Sequence, residues 1–120
     1  MKFSELIKVN KILSNEFSSS SNTIAILSNV TVSQLSFIIE YSLRKDSVSI
    51  SAINGDYDNI IQDSYNFRNH KFLIIFWEIA NVIDGFHYLV ENLSKSEFDN
   101  IEKQLINELD LFFQNIKKVP

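Results

Sequence analysis

Apolar residues recur with helical spacing in three stretches of the chain. Positions three or four apart are apolar over residues 3–15, 35–43 and 98–116, and Asn10 is the polar member of the first stripe. Such a stripe lies on one face of an α-helix and packs against a core. We therefore predict an N-terminal helix over 3–15, a helix over 35–43, and a long C-terminal helix over 96–117.

Three shorter segments have the pattern of β-strands. Ile24–Leu27 is apolar at every position, as in a parallel strand buried on both faces. Ser47–Ile53 alternates between polar and apolar residues. Lys71–Ile79 is the strongest signal, because its centre, 72–77, is apolar throughout, and this favours a central buried strand. A polar linker at 17–23 precedes the first strand.

Polar residues mark the boundaries between these elements. Thr31–Gln34 (TVSQ) and Ser94–Glu97 (SKSE) have the capping-box pattern of helix starts. Asn54–Asn59 (NGDYDN) has the composition of a turn, and a short helix is predicted over 58–65. After the third predicted strand the chain begins as a loop and becomes helical at Asn81 or later.

The alternation of strands and helices predicts an α/β fold with a parallel sheet and right-handed crossovers. The expected strand order is 2-1-3, the opening of a three-layer, flavodoxin-like sheet. The length of 120 residues suits a single domain over residues 1–120. Three strands are few for this class, so either a strand escapes the pattern or the chain is the N-terminal domain of a longer protein.

The predicted topology also places a crevice. In an open α/β sheet, ligands bind beyond the carboxyl ends of the strands, where the strand order reverses. We predict that the residues at these ends form a ligand-binding crevice: Ser28, Asn29, Thr31, Asp56, Glu78 and Asn81. Some of these residues also have a purely structural explanation that competes with ligand binding. Thr31 suits a helix cap, and Asn29 and Asp56 suit turns. The crevice requires Asn29, Asp56 and Glu78 to lie close together.

The composition argues against several classes of function. The net charge of -4 and the lack of a basic cluster argue against nucleic-acid binding. The absence of Cys fits a reducing, cytoplasmic compartment. No apolar run is long enough to span a membrane, and Glu5 and Lys8 interrupt any signal-peptide core. The two glycines, Gly55 and Gly85, cannot form a glycine-rich phosphate loop, and no cofactor is expected.

The sequence contains no strong catalytic or metal-binding motif. The two histidines, His70 and His87, have no metal-ligand spacing. A Ser–His–acid triad would have to pair Ser28 with His87, and nothing in the spacing requires that pairing. The two acids of DNIIQD, Asp58 and Asp63, are not by themselves evidence for a glycosidase.

Three segments together resemble a known family. IAILSNVTVSQL, INGDYDNIIQDS and FLIIFWEIANVIDG are similar to the N-terminal region of FkbH-like proteins, over about half of the chain, Thr23 to Gly85. The family motif after the first strand is similar to GNFT, here SNVT at Ser28–Thr31, and the GDYD motif matches as it stands at Gly55–Asp58. FkbH-like proteins carry an SGNH-hydrolase-like α/β domain ahead of a haloacid-dehalogenase-type domain.

The resemblance implies a role in loading a three-carbon glyceryl unit, from a glycolytic bisphosphate, onto an acyl carrier protein. That chemistry belongs to the dehalogenase-type domain, whose DxDxT motif is absent from this chain. The implied partners are an acyl carrier protein or the adjacent dehalogenase-type domain. We expect the last helix to pack on that domain or on a second copy of the chain, as a homo-oligomer.

SGNH hydrolases hold their nucleophile in a GDS motif after the first strand. Aligned on that turn, Ser28 replaces the Gly, Asn29 the Asp, and Val30 the nucleophilic Ser. A D-x-x-H sequence occurs at Asp84–His87, but it follows the third strand instead of the last one. The sequence therefore favours a non-catalytic binding or scaffold domain. Two alternatives stay open: a small SGNH-type esterase that uses Ser28, and a stand-alone interaction domain.

Overall fold

The computed structural model describes residues 1–17 and 22–117. Within them, helices and strands alternate along the chain. The elements are α1 (Phe3–Glu16), β1 (Thr23–Ser28), α2 (Leu35–Lys45), β2 (Ser51–Tyr57), α3 (Ile60–Asn66), β3 (Phe72–Phe76), α4 (Phe86–Leu89) and α5 (Lys95–Ile116), with 3-10 turns at Ile79–Asn81 and Val90–Asn92.

The three strands form a parallel sheet in the order β2-β1-β3, which confirms the predicted 2-1-3 topology. Near the amino ends of the strands, Ile24 of β1 lies opposite Ala52 on β2 and Phe72 on β3. The pairing with β2 is irregular between Ile26 and Ser28, so that Ser28 lies opposite Tyr57. The carboxyl ends of all three parallel strands therefore lie at the same end of the sheet.

Strand β1 is central because its apolar residues serve both faces of the sheet. Ala25 and Leu27 pack with Ile60 of α3 and Phe112 of α5. Ile24 and Ile26 pack on the opposite face, against the apolar stripe of α2. Side chains alternate between the faces of a strand, so a continuous apolar run buries both. The result is a three-layer α/β fold with α2 on one side and α3 and α5 on the other.

Helix α1 packs on α2, forming an outer layer on that face. Its bounds match the predicted helix over 3–15 to within one residue. Helix α5 likewise begins and ends within one residue of the prediction. The middle of the predicted linker, residues 18–21, lies outside the described residues.

Strand β2 is displaced from its predicted position. It runs over Ser51–Tyr57, whereas alternation predicted a strand over Ser47–Ile53. Ser47 has a left-handed backbone (φ 64°) in the turn that ends α2, so it cannot start a strand. The predicted turn NGDYDN is wrong over its first four residues, because Asn54 and Tyr57 pair with the end of β1.

Two further predictions are wrong. Thr31 does not cap a helix, since α2 begins at Leu35 after a Gln34 that makes no capping hydrogen bond through its side chain. The apolar segment 72–77 does not form the central strand: β3 pairs with β1 alone within the described sheet. Phe72 at its start is half exposed.

The capping box at the start of α5 is confirmed. Ser94 Oγ accepts a hydrogen bond from the Glu97 N–H (3.4 Å), and the Ser94 N–H donates to Glu97 Oε2 (2.8 Å). The Ser94 hydroxyl also donates to Glu97 Oε2 at 2.6 Å. The two bonds to the carboxylate, first the one from the Ser94 hydroxyl and then the one from the Ser94 N–H, lower the pKa of Glu97 below its ordinary value of 4.5.

We expect Ser94→Ala to raise the pKa of Glu97 towards its ordinary value and to fray the first turn of α5. Because the folded-state pKa is lowered, the carboxylate supports the helix above the unfolded pKa, and this support is lost as the pH falls through the folded pKa. An NMR titration of Glu97 checks the shift, with Ser4→Ala, which removes an exposed hydroxyl in the first turn of α1, as the control. An unchanged Glu97 pKa in Ser94→Ala would contradict the assignment.

Candidate functional site

Two clefts open at the carboxyl end of the sheet, one on each of its faces. The α2-side cleft has a volume of about 310 Å³, and its lining includes Ser28, Thr31, Asn54 and Tyr57. The α5-side cleft, about 360 Å³, lies between α3, the chain after β3, and α5. Its lining residues are Asp58, Asn59, Ile60, Ile61, Gln62, Trp77, Asn81, Val82 and Glu108.

Asn29 is the most buried of the predicted site residues, with 1% of its surface exposed. Its Nδ2 donates to the Glu78 carbonyl (2.8 Å), and its Oδ1 accepts from the Glu78 N–H (2.7 Å). Its own N–H donates to the Phe76 carbonyl at 3.2 Å. The side-chain amide therefore continues the hydrogen bonding between β1 and β3 past the end of the strands. Asn29 therefore lies between the ends of β1 and β3, where the strand order reverses.

Glu78 and Asn81 join Asn29 in one hydrogen-bonded group. Asn81 Nδ2 donates to the Asn29 carbonyl (3.2 Å) and to Glu78 Oε2 (2.9 Å). Both side chains are exposed, unlike that of Asn29. The structure thus brings together three residues that the topology predicted to converge, and Asn81 presents this group to the α5-side cleft.

Ser28 is held within its own turn. Its Oγ donates to the Val30 carbonyl and accepts from the Val30 N–H at 2.9 Å. A nucleophilic serine instead needs its hydroxyl proton directed at a base. His70 lies in the turn before β3, at the amino end of that strand, packed on Phe67 with ring centroids 5.2 Å apart. His87 is exposed on α4.

Within the described part of the chain, Thr31 and Asp56 have no hydrogen bond to the Asn29 group. Thr31 is exposed and lines the α2-side cleft. Asp56 belongs to β2 itself, with an exposed side chain, and it is not among the described residues that line either cleft. Its main-chain N–H donates to Asp63 Oδ2 at 2.7 Å. The topology thus correctly predicted that Asn29 and Glu78 lie together. Asp56 lies on a strand and not in the predicted loop, because β2 ends later in the chain than predicted.

Asp63 on α3 was not predicted as a site residue, although only 3% of it is exposed. Its carboxylate accepts from the Asp56 N–H and, at 3.0 Å, from Asn59 Nδ2. A Cβ added at Gly55 would lie 2.5 Å from Asp63 Oδ2 and 2.9 Å from Leu27 Cδ2, both closer than a Cβ approaches a non-bonded heavy atom. The glycine of GDYD is therefore required by this buried carboxylate. The signal in the sequence was its helical spacing, three residues after the apolar Ile60 and four before the apolar Phe67.

The α5-side cleft combines acidic, amide and aromatic groups. Asp58 and Glu108 supply carboxylates, Asn59, Gln62 and Asn81 supply amides, and Trp77 supplies a ring face. No Lys, Arg or His is among its described lining residues. Carboxylates repel anions, whereas amide groups both donate and accept hydrogen bonds. The cleft suits a neutral or cationic polar ligand better than a phosphate.

No protein-family model, no curated protein and no solved structure matches this chain. Among residues 1–17 and 22–117, no group of three or more His, Cys, Asp or Glu side chains is arranged to hold a metal ion. No helix in those ranges has the length and apolar character needed to cross a membrane.

Proposed function

We propose that this chain is a non-catalytic SGNH-like binding domain, the N-terminal domain of a FkbH-like protein. It would hold a ligand or carrier arm beside a separate domain that loads a glyceryl unit onto an acyl carrier protein. One observation carries the proposal. In the turn where an SGNH hydrolase holds its nucleophile, Val30 stands in that position and Asn29 is bonded to the main chain of Glu78.

The fold supports this proposal in general terms. The three-layer arrangement and the 2-1-3 parallel sheet fit an SGNH-like domain. The SNVT turn follows β1 at the edge where such domains place their sites. Many functions share this architecture, so the detailed argument depends on the clefts.

The α5-side cleft is the proposed binding place. The pantetheine part of a phosphopantetheine arm carries amide groups and ends in a thiol, and its amide N–H groups match the side-chain amide oxygens of Asn59, Gln62 and Asn81. The acids Asp58 and Glu108 disfavour a phosphorylated three-carbon substrate in the same place. The domain would thus receive the carrier arm and leave the phosphorylated substrate to its neighbour.

We expect pantetheine to change the fluorescence of Trp77, the only tryptophan in the chain, as it fills the α5-side cleft. Gln62→Ala should weaken binding by about 2- to 10-fold, the effect of one lost hydrogen bond. The matched control is Gln34→Ala, since Gln34 is also exposed but lies in the turn before α2. Titrations of the three proteins at constant ionic strength give the comparison.

Three results would count against the proposal. The first is an unchanged Trp77 signal at the highest pantetheine concentration, and the second is equal weakening of binding by Gln62→Ala and Gln34→Ala. The third is hydrolysis of p-nitrophenyl acetate by the wild-type chain that Ser28→Ala abolishes. That third result would establish the esterase alternative, despite the bonds that hold the Ser28 hydroxyl on Val30.

A further inference from the structure

Strand β3 has an open edge within the described sheet. It pairs with β1 on one side, where the Phe76 carbonyl accepts from the Asn29 N–H. The main-chain N–H and C=O groups of successive residues alternate between the two sides of a strand. Those of Leu73 and Ile75 therefore point away from β1, to the open edge. Such an edge is a template for another strand.

The sequence of β3 does nothing to protect this edge. Natural edge strands are commonly blocked by Lys, Pro, a bulge or an inward-pointing charge. Phe72–Phe76 reads FLIIF and contains none of these blocking residues, and its pairing with β1 is regular. Phe72 and Phe76 themselves are 50% and 37% exposed. The edge is therefore apolar in its side chains and unsatisfied in its main chain.

Helix α5 extends this apolar surface past the edge. Its Asn115 bonds to α3, with Nδ2 3.0 Å from both the Ile61 carbonyl and Ser64 Oγ. Its Phe112 packs on Trp77, with ring centroids 5.6 Å apart. At about 100° per residue, Phe113 lies on the side of the helix turned away from Asn115. Ile106, Leu109 and Phe113 form one stripe there, and they are 50%, 39% and 51% exposed.

The total exposed area agrees with a missing partner surface. The chain exposes 8131 Å², whereas a compact monomer of 13.9 kDa exposes about 6,700 Å², so the excess is about 1,400 Å². The radius of gyration is 17.9 Å, compared with about 14 Å for a compact domain of this length. Obligate dimers bury roughly 1,000 Å² or more on each subunit. The excess matches that requirement.

We propose that two copies of this chain pair through their β3 edges about a two-fold axis. Two-fold symmetry makes the paired β3 strands antiparallel, and the two three-stranded sheets join into one. The α5 helices then pack across the axis through Ile106, Leu109 and Phe113. A second copy of the chain suits this surface because it presents the same uncharged strand and the same apolar stripe. In a two-fold dimer, the strand therefore contacts the equivalent strand and the stripe contacts the equivalent stripe. This pairing does not depend on what the α5-side cleft binds.

The first test compares two substitutions on opposite sides of α5. Phe113 and Leu111 are 51% and 50% exposed, and their directions differ by about 160°. Wild type should sediment at twice the 13.9 kDa chain mass in the micromolar range. Phe113→Lys should weaken the dimer at least about 30-fold, as at an interface hot spot. Leu111→Lys should leave the mass unchanged, with circular dichroism confirming that both variants fold.

The second test reads the strand edge itself. The amide protons of Leu73 and Ile75 should exchange slowly in the wild-type dimer and fast in monomeric Phe113→Lys. A wild type that stays monomeric would overturn the proposal, as would equal weakening by Phe113→Lys and Leu111→Lys. A dimer in which these two amides exchange freely would show that the β3 edges are not paired and would overturn it as well.

Discussion

Replacement of Arg44 by alanine is expected to lower the free energy of unfolding by about 3–5 kcal/mol, as for the loss of one partner from a buried ion pair. Arg44 is 8% exposed, and its Nη1 lies 3.1 Å from Glu40 Oε2 and 2.8 Å from Asn10 Oδ1. Its Nε donates to the Ile50 carbonyl at 3.0 Å. Alanine would leave these acceptors without their donor in the interior.

The loss is large because this cluster joins three elements. Asn10 belongs to α1, Glu40 and Arg44 to α2, and Glu40 Oε1 accepts from the Ala52 N–H of β2 at 2.8 Å. Asn10 Nδ2 also donates to Glu40 Oε2 at 2.8 Å. Domain stabilities are typically about 5–15 kcal/mol, so the change would remove a large fraction of the total.

Urea unfolding followed by circular dichroism measures the effect. Arg68→Ala is the matched control, because Arg68 is the other arginine and lies over the Tyr65 ring at 3.9 Å, outside this cluster. We expect that control to lose no more than about 1 kcal/mol. Arg44→Lys should fall between the two, since a lysine keeps the charge but not the guanidinium geometry. Equal losses for Arg44→Ala and Arg68→Ala would show that the cluster is not a stabilising unit.

Asn29→Ala is expected to lower the free energy of unfolding by about 2–4 kcal/mol, because it leaves the Glu78 N–H and C=O unpaired. Asn29→Asp keeps the acceptor for the Glu78 N–H but places an oxygen against the Glu78 carbonyl, so it should also destabilise the domain. Urea unfolding gives the stability, and hydrogen exchange of the Glu78 amide reports the bond directly.

The control for this prediction is Asn81→Ala, which removes an exposed member of the same group. Its loss should stay at about 1 kcal/mol, because one of the two hydrogen bonds of Asn81 is exposed and the other is only partly buried. If Asn29→Ala left both the stability and the exchange of the Glu78 amide unchanged, Asn29 would not be the clamp between β1 and β3. A role confined to ligand binding would then explain it better.

Elements with strong local signals could be predicted from the sequence. Helix α5 carries a long apolar stripe and a capping box, and both its ends were correct to within one residue. Asn10, polar within the stripe of α1, proved to be a buried hydrogen-bonding residue. Strand β2 was misplaced because pairing with β1 draws the turn-like residues Asn54–Tyr57 into the ladder. Local alternation carries no information about that pairing.

The errors at β3 and at the site have a related cause. An apolar run shows that both faces of a strand are covered, but it does not show whether a strand lies on each side, and β3 has one neighbour in the described sheet. Topology could predict that Asn29, Glu78 and Asn81 converge. It could not predict that Asn29 replaces a main-chain unit, or that Asp63 folds back on Gly55, because both depend on side-chain positions in three dimensions.

The contact between Gly55 and Asp63 links two distant kinds of change. A methyl group at position 55 has no room while a carboxylate fills the space beside it, 2.5 Å from the added carbon. Shortening the side chain at position 63 would remove the nearest obstacle but not the second one, Leu27 Cδ2, which lies 2.9 Å from the added carbon. It would also remove the acceptor for the Asp56 N–H. In the divergence of sequences with this fold, a residue larger than glycine at position 55 should therefore appear only together with changes at both 27 and 63, as a covarying set that joins β1, β2 and α3.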